Sequence, residues 1–243
     1  MYKNQTILGI IPARGGSKSV PRKNIKPLAD KPLIAWTIEE AKKSQYLDRA
    51  IVSTDDEEIA RVAQEWGGEV PFLRPAELAQ DLSKDIEFLL HALEFLKEKE
   101  QYVPDIVVLM RVTSPLKTAE DIDNGIRALV DTPEADASRP IMESPKHPYK
   151  MWKMSEGDNR FIEPFLPKSF TGMDEPFNGP RQVLPKVFIH TGAMDVIRRK
   201  TITDMKSTSG KKLAHFFMEP EHSVNIDQPI DFEIAEFLMR RRH

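Results

Sequence analysis

Apolar positions in the first half of the chain alternate between two patterns. Short, largely β-branched runs at residues 6–11, 50–53, 70–73 and 106–110 read as strands, the unbroken ones as strands buried on both faces. Between them apolar residues recur at helical spacing: Leu33, Ile34, Trp36, Ile38 and Ala41 just after Pro32, then residues 57–66, 85–99 and 119–130. Pro32 sits where a first-turn proline is tolerated. The alternation predicts an α/β fold with a mostly parallel sheet covered by helices, and ligands are expected beyond the carboxyl ends of its strands.

Periodicity weakens over residues 142–185, which are dense in proline, glycine, aromatic and charged residues (SPKHPYKMWKM, EPFLPKSF, DEPFNGPRQ). A structureless loop of that length is out of place in a compact domain. Tyr149, Trp152, Phe161, Phe165, Phe170 and Phe177 also carry too much apolar surface to leave in water. The stretch is expected to be an arm inserted into a single domain spanning residues 1–243, with part of its surface buried, a partner subunit being one way to bury it. The pattern resumes at residues 187–189 and 193–197 and closes with a helix over 229–240.

Charge changes the picture mainly by exclusion. The 35 Lys and Arg nearly cancel the 38 Asp and Glu, so no global field draws in nucleic acid or an anionic membrane, and local patches must carry any anion binding. Cysteine is absent, which removes disulfides, thiolate metal sites and cysteine nucleophiles and suits a reducing cytoplasm. The first apolar run, broken by Pro12 and Arg14, is too short for a signal or a membrane span. A cytoplasmic location is the expectation.

Four stretches carry candidate chemistry. Directly after the first strand, PARGGSKSVPRKN sets Arg14, Lys18, Arg22 and Lys23 around Gly15 and Gly16. Such glycines let the backbone approach a ligand and the cations suit a polyphosphate, although the order matches neither the Walker nor the GxGxxG pattern. A glycine turn with solvated lysines accounts for the same residues. In IVSTDDEEIA, Asp55 followed by Glu58 reads first as a helix-start box, and Thr54, Asp55 and Asp56 only second as a metal or ribose site.

In LMRVTSPLKTAED, Thr118 and Asp121 read as a second cap, which leaves Arg111, Thr113 and Ser114 at the end of an apolar strand. The Arg111 fork suits a carboxylate or phosphate ligand, or a salt bridge to a neighbouring loop. In HSVNIDQPIDFEIAE, Asn225, Asp227 and Asp231 offer oxygens for magnesium, which needs only one or two carboxylates plus substrate phosphates. Helix capping by Asp227 or Asp231 is the alternative. His190, His215 and His222 lack metal-ligand spacing, and the ending MRRRH reads as a solvated helix end.

Taken in order, IIPARGGSKSVPRKNIKPLADKPLIAWTI, IVSTDDEEIA, FLRPAELAQD, VTSPLKTAEDI, PRQVLP, TGAMDVI and NIDQPIDFEIAE span nearly the whole chain. The set resembles the cytidylyltransferases that make CMP-sialic acid and related CMP-activated acid sugars. The resemblance implies a Rossmann-like sheet of the nucleotide-diphospho-sugar transferase type, helices on both its faces, and a homodimer formed through the inserted arm. It implies transfer of CMP from CTP to the anomeric hydroxyl of an acid sugar with loss of pyrophosphate. Arg14, Gly15, Gly16, Ser17, Lys18, Lys23 and Asn24 would hold the nucleotide, with Arg74 bordering cytosine and ribose. Lys23, Arg14 and Asp227 would be catalytic, and Asp227 with Asn225 would hold Mg2+. Arg111, Thr113, Ser114 and Thr191, with Lys150, Arg181 and Gln182 of the arm, would meet the acceptor.

The chain departs from the sialic-acid pattern on the acceptor side. LMRVTSPL replaces the usual LLQPTSPL, Ile189 to Gly192 replace an Arg-Pro-Asn-Gly run, and Asn225-Ile226-Asp227 replaces a pair of aspartates. Exchanges among hydrogen-bonding groups can change substrate choice by ~10⁴-fold, which points away from N-acetylneuraminate toward another nonulosonic acid or a shorter 3-deoxy-ulosonic acid. Two other readings stay open. Arg111 as a phosphate receptor would suit a sugar 1-phosphate, or use of another nucleoside triphosphate. Asn225 in place of an acid would suit a catalytically silent nucleotide-binding or assembly module.

Overall fold

The apolar run after Thr6 forms strand β1 (Ile7–Pro12), and a short turn of β2 (Pro27–Leu28) and β3 (Lys31–Pro32) leads into α1 (Leu33–Lys43). Next come β4 (Arg49–Ser53), α2 (Glu57–Glu65), α3 (Asp85–Glu100), β5 (Ile106–Met110), α4 (Ala119–Val130) and β6 (Ala137–Glu143). β7 (Trp152–Ser155), β8 (Asp158–Pro164), α5 (Lys168–Thr171) and β9 (Phe188–His190) follow. The chain closes with β10 (Met194–Arg198), α6 (Arg199–Thr203), β11 (Leu213–Phe217) and α7 (Pro229–Arg241). The structure, a computed structural model, describes residues 1–241. The last two residues of MRRRH, for which a solvated helix end is expected, lie outside the described residues.

The chain divides into two compact units, one made of Met1–Ile141 with His190 onward, the other of Met142–Ile189. In the first, the strands run in the order β11-β6-β10-β5-β1-β4. β1 lies parallel to both β4 and β5, and β11 parallel to β6, while β10 runs antiparallel to β5 and β6. The apolar residues of β10, Met194, Val196 and Ile197, mark a buried strand but carry no information on its direction.

The parallel strands β1, β4 and β5 bury side chains on both faces. Ile7, Ile11, Val52 and Val108 pack with Ile38, Ile59, Ile126 and Ala235 from α1, α2, α4 and α7. Leu8, Ile10, Ile51, Val107 and Leu109 pack with Leu89, Leu96 and Ile202 from α3 and α6. Alternate side chains of a strand point to opposite faces, so helices on both sides require the runs without polar interruption seen in the sequence. No helix among the described residues is long and apolar enough to cross a membrane.

Two local expectations are corrected. Residues 70–73 form no strand; only isolated parallel bridges join Ile51 to Glu69 and Thr54 to Leu73. Pro71 has no N–H to give, which breaks a ladder at that point. At the start of α2 the cap is Asp56, whose carboxylate accepts the Ile59 N–H, and not Asp55. Asp55 instead accepts the Gly15 N–H at 3.0 Å. The Thr118 and Asp121 box at the start of α4 forms as expected.

The second unit holds the β7–β8 hairpin, with Trp152 packed on Phe177 at 4.6 Å between ring centroids. Lys150 Nζ donates to the Gly179 carbonyl at 2.6 Å, and a His147 ring nitrogen lies 2.9 Å from the Pro185 carbonyl. Phe161, Phe165 and Phe170 remain exposed. The sequence boundary at 185 stops short of this unit, which runs to Ile189.

Candidate active site

Because β1, β4 and β5 are mutually parallel, their carboxyl ends share one edge of the sheet, where ligands of such sheets bind. A cleft of about 260 Å³ opens there. Its walls are Pro12, Arg14, Ser17, Lys18, Lys23 and Asn24 from the first loop, Arg74, Gln80, Asp85 and Phe88 beyond β4, and Arg111, Val112 and Thr113 after β5.

The first loop is pinned at several points. A Cβ on Gly15 would fall 2.7 Å from Asp56 Oδ2, so only glycine lets the loop lie against the start of α2. Asn24 Nδ2 donates to the Arg14 carbonyl at 2.9 Å. Arg22 takes the left-handed conformation, at φ 55°, and its guanidinium pairs with Asp56 and Glu58. Arg14 pairs with Asp81 at 3.0 Å, and Lys18 reaches the same carboxylate. Lys23 differs from these: it is buried, and its Nζ donates to the Ile226 carbonyl at 2.8 Å with Asp227 Oδ1 at 4.0 Å. Burial holds its amine below the usual lysine value, although Asp227 and Asp231 pull the other way.

Across the cleft, Arg74 is buried, with Nε donating to Ser53 Oγ at 3.1 Å and its guanidinium 4.4 Å above the Phe88 ring. Burial pushes its pKa down to about 10. Arg111 directs its fork at Asp85, at 3.0 and 2.5 Å, and lies 3.6 Å from the buried Asp195, which Arg139 also contacts at 2.7 Å. Burial works against the Arg111 charge, but the hydrogen bonds and charge of Asp85 outweigh it and its pKa rises. The salt-bridge reading of Arg111 therefore holds in this structure.

Below the cleft floor the sequence-selected residues serve to join segments. Ser114 is fully buried, with its Oγ 3.4 Å from Asn225 Oδ1. Thr113 accepts the Ile226 N–H at 2.7 Å. Asn225 Nδ2 donates to Asp227 Oδ2 at 2.7 Å, and Asp231 caps α7 by accepting the N–H groups of Asp227 and Gln228.

The structure thus gathers Arg14, Ser17, Lys18, Lys23, Asn24, Arg74, Arg111 and Thr113 around one cleft. Ser114 and Thr191 do not line it; Thr191 is buried, with its hydroxyl 3.4 Å from Met218 Sδ. Lys150, Arg181 and Gln182 belong to the second unit, where Arg181 pairs with Glu143 at 2.9 Å and Gln182 lies beside a shallow pocket with His147 and Pro185. Sequence reasoning missed Asp81, Asp85 and Lys117. Asp85 was legible only as the first residue of a helix, and Lys117 resembled any exposed lysine ahead of a cap.

Asp81 neutralises the two loop cations that a triphosphate would need. Asp81→Ala should tighten CTP binding by about two- to fivefold at low salt, the range of an exposed ion pair, with the gain fading at high ionic strength. Calorimetric titration with CTP measures it, and weaker binding would show that Asp81 itself helps to hold the nucleotide.

Comparison with known proteins gives the family. Residues 8–155 match the family model described as cytidylyltransferase. Over 96% of its length the chain is 32% identical to CMP-N,N'-diacetyllegionaminic acid synthase of Legionella pneumophila, of which it covers 96%. Over 98% of its length it is 28% identical to N-acylneuraminate cytidylyltransferase of Escherichia coli, but spans only 53%, about half, of that protein. A solved structure of CMP:2-keto-3-deoxy-manno-octonic acid synthetase complexed with CTP superposes with a TM-score of 0.70 at 16% identity, over 98% of this chain and 100% of that one. The chain belongs to the cytidylyltransferase family and is a CTP-using nucleotidyltransferase.

Proposed function

We infer that the chain transfers CMP from CTP to the anomeric hydroxyl of an acid sugar. The anomeric oxygen bonds to the α-phosphorus and gives up its proton to solvent, as the bond to the bridging oxygen breaks and pyrophosphate leaves. One observation carries the reading: Lys23 is held with its Nζ on the Ile226 carbonyl, at the wall of a cleft that the loop after β1 lines with further cations. An ammonium fixed in advance stabilises charge that builds on the α-phosphate without reorganising during the reaction. Arg14 and Lys18 would leave Asp81 for the outer phosphates. Arg74, already stacked on Phe88, would border the base and ribose.

Magnesium fits Asp227 better than Asn225. The Asp227 side chain is 70% exposed beside Lys23, which leaves a carboxylate open to a cation that takes its other oxygens from phosphates and water. The Asn225 carbonyl turns instead toward Ser114 Oγ, and its amide donates to Asp227, so its role is to orient that carboxylate. When bound, the metal would screen the phosphate charges.

The acceptor end is assigned to Arg111 with Asp85. Because two carboxylates already face the Arg111 fork, any anionic acceptor would have to compete with them, whether acid sugar or sugar 1-phosphate. The names of the relatives support a nonulosonic or 3-deoxy-ulosonic acid. A homodimer through the 142–189 unit is supported by its exposed Trp152, Phe161, Phe165 and Phe170.

Three measurements test this reading. Pyrophosphate release should appear with CTP, ahead of UTP, ATP and GTP, and with an acid sugar from a panel of N-acetylneuraminate, di-N-acetyllegionaminate and 3-deoxy-manno-octulosonate. Turnover only with sugar 1-phosphates, or none with any acceptor, would overturn it. Lys23→Ala should lower kcat by about 10²–10³-fold while weakening CTP binding far less; a loss confined to binding contradicts the role. Sedimentation should give twice the chain mass, and a monomer at micromolar concentration would rule the dimer out.

A further inference from the structure

Lys117 is 1% exposed, among the largest fully buried side chains, and lines no part of the cleft. Its Nζ donates to Thr37 Oγ1 at 2.8 Å and to the carbonyls of Arg111 at 2.7 Å and Ser114 at 2.9 Å. The ammonium gives one N–H to each of the three, whereas a neutral amine could keep all three only by turning its lone pair to the Thr37 hydroxyl. Burial pushes the pKa down to about 7, while Glu40 on α1 and Asp121 on α4 pull it upward. A buried ion without a hydrogen-bonded carboxylate is a costly way to fill space that an apolar side chain of similar length could occupy.

What the ammonium holds explains its presence. Residues 111–114 turn from the end of β5 toward α4, supplying Arg111, Val112 and Thr113 to the cleft wall. The Thr113 carbonyl takes the Ile226 N–H at 2.7 Å, and the Ile226 carbonyl takes Lys23 Nζ at 2.8 Å. Lys117 is therefore joined to Lys23 through one turn and one residue, Ile226, although the two side chains do not touch.

We propose that Lys117 is a positioning residue for nucleotidyl transfer, its ammonium fixing the 111–114 turn and, through the Thr113–Ile226 hydrogen bond, the carbonyl on which Lys23 rests. This rests on the role given to Lys23 above. Raising the pH strips the proton that supplies the third N–H, so kcat falls as pH climbs through the Lys117 pKa.

The test is a double-mutant cycle read as kcat and KM for CTP, using whichever of the three acid sugars above turns over fastest. Lys117→Met should lower kcat by about tenfold or more with KM for CTP changed by less than about threefold, and the kcat loss should largely vanish in the Lys23→Ala background. An equal loss in both backgrounds, or unchanged kcat in folded Lys117→Met, overturns the proposal. Unchanged kcat in Lys23→Ala alone overturns the role of Lys23 itself, and the proposal with it. Should Lys117→Met not fold, Thr37→Val decides: with one acceptor gone, the alkaline fall of kcat should move to lower pH by about half a unit or more. A limb that stays in place overturns the proposal.

Discussion

The hydrogen bond from Lys23 to the carbonyl of Ile226 spans 203 positions of sequence, and the cleft is organised around it. Ile226 is buried and its own N–H is held by Thr113. Three separate segments, after β1, after β5 and before α7, are therefore tied at one residue, Ile226, through its N–H and its carbonyl. A surface lysine samples many rotamers and loses that freedom only when it meets its ligand. Lys23 has lost it on folding, which is the condition under which a cation contributes most to a developing charge.

Four of the other cations in and beside the cleft are balanced in place. Arg14 and Lys18 share Asp81, Arg22 holds Asp56 and Glu58, and Arg111 lies between Asp85 and Asp195. This lets a basic loop exist in a chain of net charge −3 without repulsion among its own members. The pairs differ in how readily they yield. Asp81 is exposed and screened by salt, so phosphate can displace it at little cost. Asp195 is buried and also bound to Arg139, and stripping a partner from a buried carboxylate is strongly unfavourable. The donor side of the cleft is thus adaptable and the Arg111 side fixed.

Much of the fold was legible because strands buried on both faces leave unbroken apolar runs, as in β1 and β5, and because capping residues such as Thr118 act locally. The direction of β10 depends on partners far away in sequence and was not, whereas the break at Pro71 follows from a residue in plain view. The first loop was legible as a cationic, glycine-bearing turn, and its matching company along the chain gave it meaning. Asp81, Asp85 and Lys117 were not legible as site residues, since each is an ordinary charged residue until the fold supplies its partner. Asn225 was read as a ligand by its spacing to Asp227, whereas the geometry makes it a donor to that carboxylate.

The departures from the sialic-acid pattern gain a physical form here. Arg111 does not add a free cation to the proposed acceptor end; it adds an ion pair whose other half, Asp85, comes from the start of α3. An acceptor meeting that pair finds both a donor fork and an acceptor carboxylate, a different pattern from the single amide of a glutamine. The central claim, that Lys23 is preset for the α-phosphate of CTP, is tested most directly by a crystal structure of the chain with CTP. The account predicts an α-phosphate oxygen about 3 Å from Lys23 Nζ, with the Ile226 contact retained. A triphosphate bound elsewhere, or one that reaches Lys23 only after it has swung away from Ile226, would contradict it.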